Sequence, residues 1–323
     1  MAVVHRGVRL SYALAPVLFA GLAGVSLRSA EARDVARVNA LSHAVDSTSP
    51  DLRPIEDSLR GRSGKLRARL LGQSSLSFAL PLLQRFFGDS VTIGQPGVHP
   101  VDDSLFSGSF SFITLRPFGD KIGSRIGQYL MGFWPSERRG ARTTSAAYEN
   151  PEGFIEVTQA NQDTRVSEHF ELRDFLTHDQ HDVWPKYLVL REDLIDKLEL
   201  VIADLQDHGV NVQHMSVMSG FRTPHYNRHG GETGGRAGLS RHMYGDAADV
   251  FVDNDQDGRM DDLNHDHRID WRDARVVQQA VERVEAQHPD LVGGVGVYRA
   301  TRSHGPFAHV DVRGWRARWG RAG

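Results

Sequence analysis

The chain contains no cysteine among its 323 residues. Without thiols, a disulfide framework, a thiolate metal site and a cysteine nucleophile are all excluded. Any metal must therefore be held by histidine, aspartate or glutamate side chains. The 16 histidines are plentiful for this length, and most of them follow residue 168. A metal site in the second half of the chain is thus compatible with the composition.

A strong excess of either charge is also missing. The 38 basic and 41 acidic residues leave a formal net charge of −3. Such a balance provides no electrostatic reason to expect nucleic acid as a partner. The apolar share of 40% is that of an ordinary globular protein with a sizeable core.

Long apolar runs are limited to one, from Leu10 to Leu27. Arg6 and Arg9 precede this run and Ala30-Glu31-Ala32 follows it, which is the arrangement of a secretory signal peptide. We expect a signal peptide at residues 1–32, cleavage after Ala32, and export to the periplasm or cell surface. An uncleaved anchor is the alternative, because about 17 residues suffice to span a bilayer. After cleavage we expect no membrane contact.

After residue 32, the composition and the pattern of apolar residues divide the chain into three regions. Residues 33–89 are predicted to be a tether or pro-segment, rich in Arg, Ser and Asp, with a short helix at Leu76–Phe87. Strand-like runs at Phe110–Leu115 and Ile126–Trp134 predict a small β-rich accessory module over residues 90–160. A third region, residues 161–323, has the pattern of an α+β domain.

This third region combines helical and strand periodicities. Apolar residues at helical spacing predict a helix over Arg191–Gln206, with Gly209 as its C-cap. A further helix is expected at Ala274–Gln287, and strands are expected at Val212–Met218, Gly293–Tyr298 and Phe307–Val312. The predicted fold class is α+β, with a small antiparallel sheet and flanking helices.

Metal-ligand side chains occur at two places in this region. His242 and Asp249 stand seven residues apart, and Asp249 leads into the buried strand Val250–Val252. In the last strand, alternation places Phe307, His309 and Asp311 on one face. A catalytic zinc ion needs three protein ligands and one open position for water. His242, Asp249 and His309 are the predicted ligands.

Four segments in a fixed order strengthen this hypothesis, and they resemble blocks of one family. They are Val166–Phe175, Ser219–Asn227, the Ser240-x-His242-x-x-Gly245-x-Ala247-x-Asp249 motif, and Phe307–Arg313. Together they resemble the zinc D-alanyl-D-alanine carboxypeptidases and murein endopeptidases, whose superfamily includes lysostaphin-type peptidases and the hedgehog domain. The resemblance covers about residues 160–319 and leaves the earlier residues unexplained.

The resemblance implies that residues 161–323 form a zinc peptidase domain of the hedgehog and D-Ala-D-Ala peptidase type. It implies that His242 and Asp249 bind zinc and that a histidine of the last strand completes the site. Family members place a catalytic Glu three residues before this last ligand or a His two before it. Here those positions hold Pro306 and Phe307, so the usual base is missing.

The general base therefore stays open at this point. With His309 as ligand, Asp311 is either the base or the acceptor that orients the His309 imidazole, and His304 is a further candidate. In a register shifted by two residues, Asp311 would be the ligand and His309 the base.

Arg222 and Ser240 are the predicted substrate-binding residues. A guanidinium near the metal can bind a peptide carboxylate or stabilise the oxyanion, so Arg222 is also a predicted catalytic residue. A salt bridge within the fold is the alternative for Arg222. Ser240 is expected to hydrogen-bond rather than to act as a nucleophile.

An acidic insertion at residues 253–273 follows the Asp249 strand directly. Its oxygen ligands recur at the spacing of calcium loops, and they are Asp253, Asp255, Asp257, Asp262, Asn264, Asp266, Asp270 and Asp273. So many like charges repel one another unless a cation offsets them. We therefore expect calcium here, with a solvated acidic loop as the alternative.

Taken together, these features predict an exported zinc metallopeptidase that hydrolyses amide bonds in the peptide stems of peptidoglycan, as a carboxypeptidase or an endopeptidase. Because the usual base is missing, a catalytically inactive zinc-containing module that binds peptidoglycan is the first alternative. An export-linked peptidase acting on proteins is the second.

Overall fold

A computed structural model describes residues 60–73, 75, 94–101, 110–138, 145–230 and 236–320. The predicted signal peptide, residues 33–59 of the predicted tether and the helix predicted at Leu76–Phe87 lie outside these residues. Within the described ranges, no helix has both the length and the apolar character needed to cross a membrane.

The first half of the described chain contains short strands joined by loops and 3-10 turns. They are β1 (Arg69–Leu71), β2 (Gly97–Val101), β3 (Phe110–Thr114), β4 (Arg116–Pro117), β5 (Arg125–Ile126), β6 (Tyr129–Leu130), β7 (Gly153–Val157) and β8 (Lys186–Leu188). Strand β3 lies between β1 and β2 in one sheet, and β7 lies between β4 and β8 in another. The run Ile126–Trp134, predicted as one strand, contains the last residue of β5 and both residues of β6, because the chain turns between these two short strands.

The second half alternates helices with longer strands. Its elements are α1 (Glu192–Asp207), β9 (Met215–Ser219), α2 (Pro224–His229), β10 (Ala247–Val252), α3 (Trp271–Gln287), β11 (Gly294–Tyr298), β12 (Phe307–Asp311) and β13 (Ala317–Trp319). The helices and strands predicted for this region are all present, with ends shifted by up to three residues. Strand β10 begins at Ala247, so Asp249 is its third residue rather than its first.

Strands β9 to β13 form one five-stranded sheet in the order β13-β11-β12-β10-β9. All neighbours are antiparallel except the pair β11 and β13, which is parallel. Helix α3 packs against β11, β12 and α1. The predicted α+β class, with a small and mainly antiparallel sheet and flanking helices, is confirmed.

Alternation along these strands separates two faces. The valines Val250, Val295 and Val310 are fully buried in the core together with α1 and α3. Successive residues of a strand point to opposite sides of the sheet, so the residue next to each of these valines in its strand lies on the other face. This other face carries the predicted ligands Asp249 and His309.

The strands before residue 160 share this core. Trp134 and Phe154 are fully buried and belong to the same hydrophobic cluster as Val310 and Leu198 of α1. Their rings contact each other, with centroids 5.8 Å apart. The domain boundary near residue 160 stays a prediction, and it falls within a continuous core.

The segment around β1, within the predicted tether, packs onto α1. The buried Arg67 guanidinium binds Glu192 and Asp196 on the first turns of α1, each at 2.7 Å. Strand β1 also pairs in parallel with β3. The tether interpretation stays a prediction for the remainder of residues 33–89, since these described residues are held in the fold.

Candidate metal centre

A single row of residues crosses the five-stranded sheet. Directly opposite one another lie Trp319, Gly296, His309, Asp249 and Ser219, one from each of β13, β11, β12, β10 and β9. Facing residues of adjacent strands point to the same side of a sheet. The row therefore places two predicted ligands side by side on the face away from α3.

The third ligand reaches this row from the loop before β10. His242 lies in a 3-10 turn, Arg241–Tyr244, and its Nε2 is 3.3 Å from Asp249 Oδ1 and 3.1 Å from His309 Nδ1. His309 Nδ1 is 2.9 Å from the same Asp249 oxygen. All three residues are buried, and their ligand atoms lie within 4.8 Å of one another. The structure thus brings the three predicted ligands together.

Both histidines have a partner for the other ring nitrogen. His242 Nδ1 lies 2.7 Å from the Gly220 carbonyl oxygen, to which it can only donate. His309 Nε2 lies 3.0 Å from the Asp311 carboxylate. A hydrogen bond on one nitrogen fixes the tautomer and directs the lone pair of the other. His242 Nε2, His309 Nδ1 and Asp249 Oδ1 are therefore three converging donor atoms for a metal.

Their spacing fits a small divalent cation. Tetrahedral zinc with bonds of about 2.0–2.2 Å keeps its ligand atoms roughly 3.3 Å apart. The three observed separations are 2.9, 3.1 and 3.3 Å. Two imidazoles and one carboxylate also form a ligand set that catalytic zinc uses, with a fourth position left for water. The site can hold a metal, and its ligand set suits zinc.

Asp311 lies behind His309 and does not join the ligand atoms. Its Oδ1 accepts a hydrogen bond from the Gly294 N–H at 2.7 Å, and Arg313 forms a salt bridge with Oδ2. The side chain is fully buried, and these partners together with His309 occupy both of its oxygens. This geometry fits an acceptor that orients His309. It does not place Asp311 where the shifted register would need a ligand.

The protonation states of His242, Asp249 and His309 depend on one another. Burial lowers the pKa of His242 to about 4, so this imidazole is neutral at pH 7 and can act as a ligand. Burial would also lower the pKa of His309, but the hydrogen bonds that its ring donates to the Asp249 and Asp311 carboxylates raise it instead. His242 and His309 hold the pKa of Asp249 well below its ordinary value against the effect of burial. A cation at the three ligand atoms would offset the same negative charge.

Glycine is required where the 3-10 turn meets β10. Gly245 has φ of +65°, and a Cβ there would lie 2.3 Å from the Val189 carbonyl. Both the left-handed backbone and the close approach exclude a side chain. Across this turn the buried Arg241 guanidinium forms a two-point salt bridge with Asp246. The loop that carries His242 is therefore held at both ends.

Arg222 lies at the site, as predicted, and pairs with a ligand. Its Nη2 forms a salt bridge with Asp249 Oδ2, and its Nε donates to Ser219 Oγ at 2.8 Å. The side chain is 14% exposed. The internal salt bridge considered from the sequence is therefore formed with the ligand itself. This salt bridge uses Asp249 Oδ2, so Asp249 Oδ1 points toward the histidines. The Nη1 atom of Arg222 takes part in neither the salt bridge nor the hydrogen bond to Ser219.

Ser240 and His304 lie at the edges of the arrangement. Ser240 is buried at the start of the 3-10 turn, where its carbonyl accepts from the Met243 N–H at 3.2 Å. His304 Nδ1 contacts the neighbouring Gly305 carbonyl at 2.7 Å, and its ring packs on Phe307. In the described part of the chain, no hydrogen bond, ion pair or ring contact joins His304 to His242, Asp249 or His309.

Two aromatic residues beside the ligands were not predicted from the sequence. The Trp319 ring packs against His309 with centroids 5.0 Å apart, and its Nε1–H donates to the Tyr298 hydroxyl at 2.7 Å. Tyr298 stacks on Phe307 at 4.5 Å. The available signal was the strand period, since Tyr298 is two residues from Gly296 and Phe307 is two residues from His309.

The acidic insertion folds as two loops with one pattern. In each loop the carboxylate at position 1 accepts from the backbone N–H groups of positions 5 and 6, and the pattern repeats nine residues later. The contacts are Asp253 with Asp257 and Gly258, and Asp262 with Asp266 and His267. Both residues at position 6 have left-handed backbones, with φ of +82° at Gly258 and +64° at His267. The second loop thus forms the same turn although it lacks the glycine.

The loops bring some predicted calcium ligands together and use others elsewhere. Asp253, Asp255 and Asp261 have carboxylate oxygens within 4.8 Å of one another, and Asp261 was not among the predicted residues. Asp270 and Asp273 form a capping box at the start of α3. Helix capping is thus a structural use for two of the predicted oxygen ligands.

Comparison with known proteins supports the peptidase resemblance. Residues 183–271 match a family model described as Peptidase M15, and this match confirms the resemblance stated from the sequence motifs. The matched segment includes Arg222, His242 and Asp249 and ends before His309. No curated protein and no solved structure matches the chain. The match indicates a peptidase.

Proposed function

We propose that this protein is an exported zinc metallopeptidase that hydrolyses amide bonds in the stem peptides of peptidoglycan. The observation that supports it most is the convergence of His242 Nε2, His309 Nδ1 and Asp249 Oδ1 within hydrogen-bonding distance. The Peptidase M15 match includes two of these three ligands. The stem-peptide substrate and the location at the periplasm or cell surface rest on the resemblance and on the N-terminal sequence.

Each residue then has a distinct task. Zinc held by these three atoms would supply Lewis acidity and would make a water molecule acidic enough to ionise near neutral pH. Asp311 keeps the proton of His309 on Nε2, which would leave the lone pair of Nδ1 available to a metal. Arg222 holds Asp249 through Nη2, and its Nη1 can bind a peptide carboxylate. Ser240 borders the loop that carries His242.

The proposal is tested with purified mature protein. Metal analysis should find about one zinc per chain, and chromatography of digested muropeptides should show released amino acids or split cross-links. His242→Ala should lose both the zinc and the turnover, because two ligands cannot hold the metal as three do. His208→Ala, at an exposed position after α1, is the matched control and should keep both. Full turnover by the His242→Ala protein would contradict the proposal.

A non-catalytic peptidoglycan-binding module is the second candidate. It is favoured by Pro306, which stands where the resembling family has its catalytic Glu, and by Asp311, whose oxygens are occupied by other partners. Incubation with murein sacculi separates the two functions. A binder sediments with the sacculi and releases nothing, whereas a peptidase releases soluble products.

We further propose calcium as a structural ion of the acidic insertion. The repeated backbone pattern of the two loops and the proximity of Asp253, Asp255 and Asp261 support this proposal. The insertion connects β10, which carries Asp249, to α3. A bound cation would reduce the repulsion among these carboxylates and make this connection more rigid.

A further inference from the structure

Tyr298 is the last residue of β11 and lies on the same face of the sheet as His309. It faces Phe307 across the strand pair, and both point to the same side as Gly296 and His309, from which each is two residues away. The phenol ring stacks on Phe307 with an interplanar angle of 7°. The Tyr298–Phe307 pair is therefore next to the Gly296–His309 pair on the face of the sheet that carries the three ligand residues.

The hydroxyl of Tyr298 is oriented by a neighbour that also contacts a ligand. Trp319 Nε1–H donates to this oxygen at 2.7 Å, while the Trp319 ring packs against His309. An oxygen that accepts from an indole keeps its own O–H free to donate elsewhere. The Tyr298 side chain is 36% exposed, so an incoming ligand can reach it.

Gly296 makes this arrangement possible. A Cβ at residue 296 would lie 2.3 Å from Trp319 Nε1. Because glycine has no side chain, the indole lies over the strand and reaches from β13 toward β12. Trp319 is thus a positioning residue for the Tyr298 hydroxyl.

We propose that the Tyr298 hydroxyl donates a hydrogen bond to the carbonyl oxygen of the amide being cleaved, as negative charge develops on that oxygen. This inference rests on the proposed peptidase function and assigns a catalytic residue to the same site. The phenol keeps its proton throughout, so it stabilises charge and does not act as the base. A phenol has an ordinary pKa of about 10, so this donor is protonated at neutral pH.

The main test is Tyr298→Phe, which keeps the ring stacked on Phe307 and removes only the hydroxyl. Loss of one preorganised donor of this kind lowers kcat by about 10²–10³-fold. We expect that loss in stem-peptide hydrolysis, with KM and zinc content close to those of the wild type. Trp319→Phe, which removes the orienting N–H, should lower kcat by a smaller factor. Tyr187→Phe, in β8, is the matched control and should leave kcat unchanged.

A second readout does not depend on turnover. A phosphinate dipeptide carries a tetrahedral anionic centre like that of the reacting amide, so it should lose about 10–100-fold in affinity with Tyr298→Phe in calorimetry. Equal phosphinate affinity and equal kcat in wild type and Tyr298→Phe would overturn the inference, and so would a zinc-loaded wild type that does not bind the phosphinate. A wild type that binds the phosphinate more tightly than Tyr298→Phe but cleaves no peptide would contradict the proposed peptidase function alone.

Discussion

Trp134 donates its indole N–H to the backbone carbonyl of Met243 at 2.8 Å, one residue after the ligand His242. The two residues are 109 positions apart, and the indole is completely buried. Arg241, one residue before His242, is bound in turn to the Ala147 carbonyl. Both neighbours of a proposed metal ligand are therefore held by the β-rich segment, for which the sequence indicated no function.

This contact predicts that Trp134→Phe weakens zinc binding without altering a ligand. The Met243 carbonyl would lose its buried partner, which costs about 1–3 kcal/mol in the free energy of unfolding. The loosened turn should also lower zinc affinity, measured by competition with a chelating dye. Trp315→Phe is the control, because Trp315 is 42% exposed. Unchanged zinc affinity in a destabilised Trp134→Phe protein would show that this contact serves the fold alone.

Asp311→Asn separates the two roles considered for Asp311. Removal of an orienting acceptor typically lowers metal affinity by about 10–100-fold, and we expect a loss in this range. At saturating zinc most of the turnover should remain, because Asp311 does not face the ligand atoms. Asp207→Asn, at the exposed end of α1, should change neither quantity. Abolished turnover at full zinc occupancy would instead identify Asp311 as the base.

Calcium should raise the melting temperature of protein that has been stripped with a chelator and refilled with zinc. The double variant Asp255→Asn and Asp266→Asn should lose most of this increase, because one carboxylate is removed from each loop. Magnesium added in place of calcium is the control, since magnesium demands a stricter octahedral geometry. Identical melting curves with and without calcium would argue against a bound ion.

The pH dependence of stability should reveal the contact of the β1 segment with α1. Burial would raise the pKa of Glu192, but Arg67 and Arg69 hold it below the ordinary value of 4.5. Because the pKa of Glu192 is lower in the folded state, its charged form stabilises the fold at pH values above 4.5. This stabilisation is lost as the pH falls below 4.5 and through the lowered pKa. The difference in melting temperature between wild type and Glu192→Gln should thus be largest near neutral pH and shrink in acid.

Asp193→Asn provides the comparison, because Asp193 lies in the same helical turn with a more exposed carboxylate. Its effect on the melting temperature should be small at every pH. A constant difference for Glu192→Gln between pH 7 and pH 3 would contradict the assigned charge pairing.

Local patterns predicted the features that repeat along the chain. Helix α1 and strands β10 to β12 follow from periodicity, and the meeting of His242, Asp249 and His309 was predicted from residue type together with the resemblance to one peptidase family. The partners of the ligands were harder to predict, because they depend on register between distant strands. The Trp319 ring contacts His309 only because Gly296 has no side chain. Away from the site, Arg67 likewise pairs with Asp196, which is 129 residues distant in the sequence. Neither contact leaves a local signature in the sequence.

The row of residues across the sheet also determines at which stage of folding the candidate metal centre can assemble. Its members come from five strands spread from Ser219 to Trp319, and His242 joins them from the loop before β10. His242 and Asp249 are close in sequence, but His309 follows Asp249 only after 60 residues. A polypeptide that crosses a membrane unfolded would carry no assembled site during transit. Metal loading would then occur at the destination, after the sheet has closed, and the ion acquired would depend on which metals are present in that compartment.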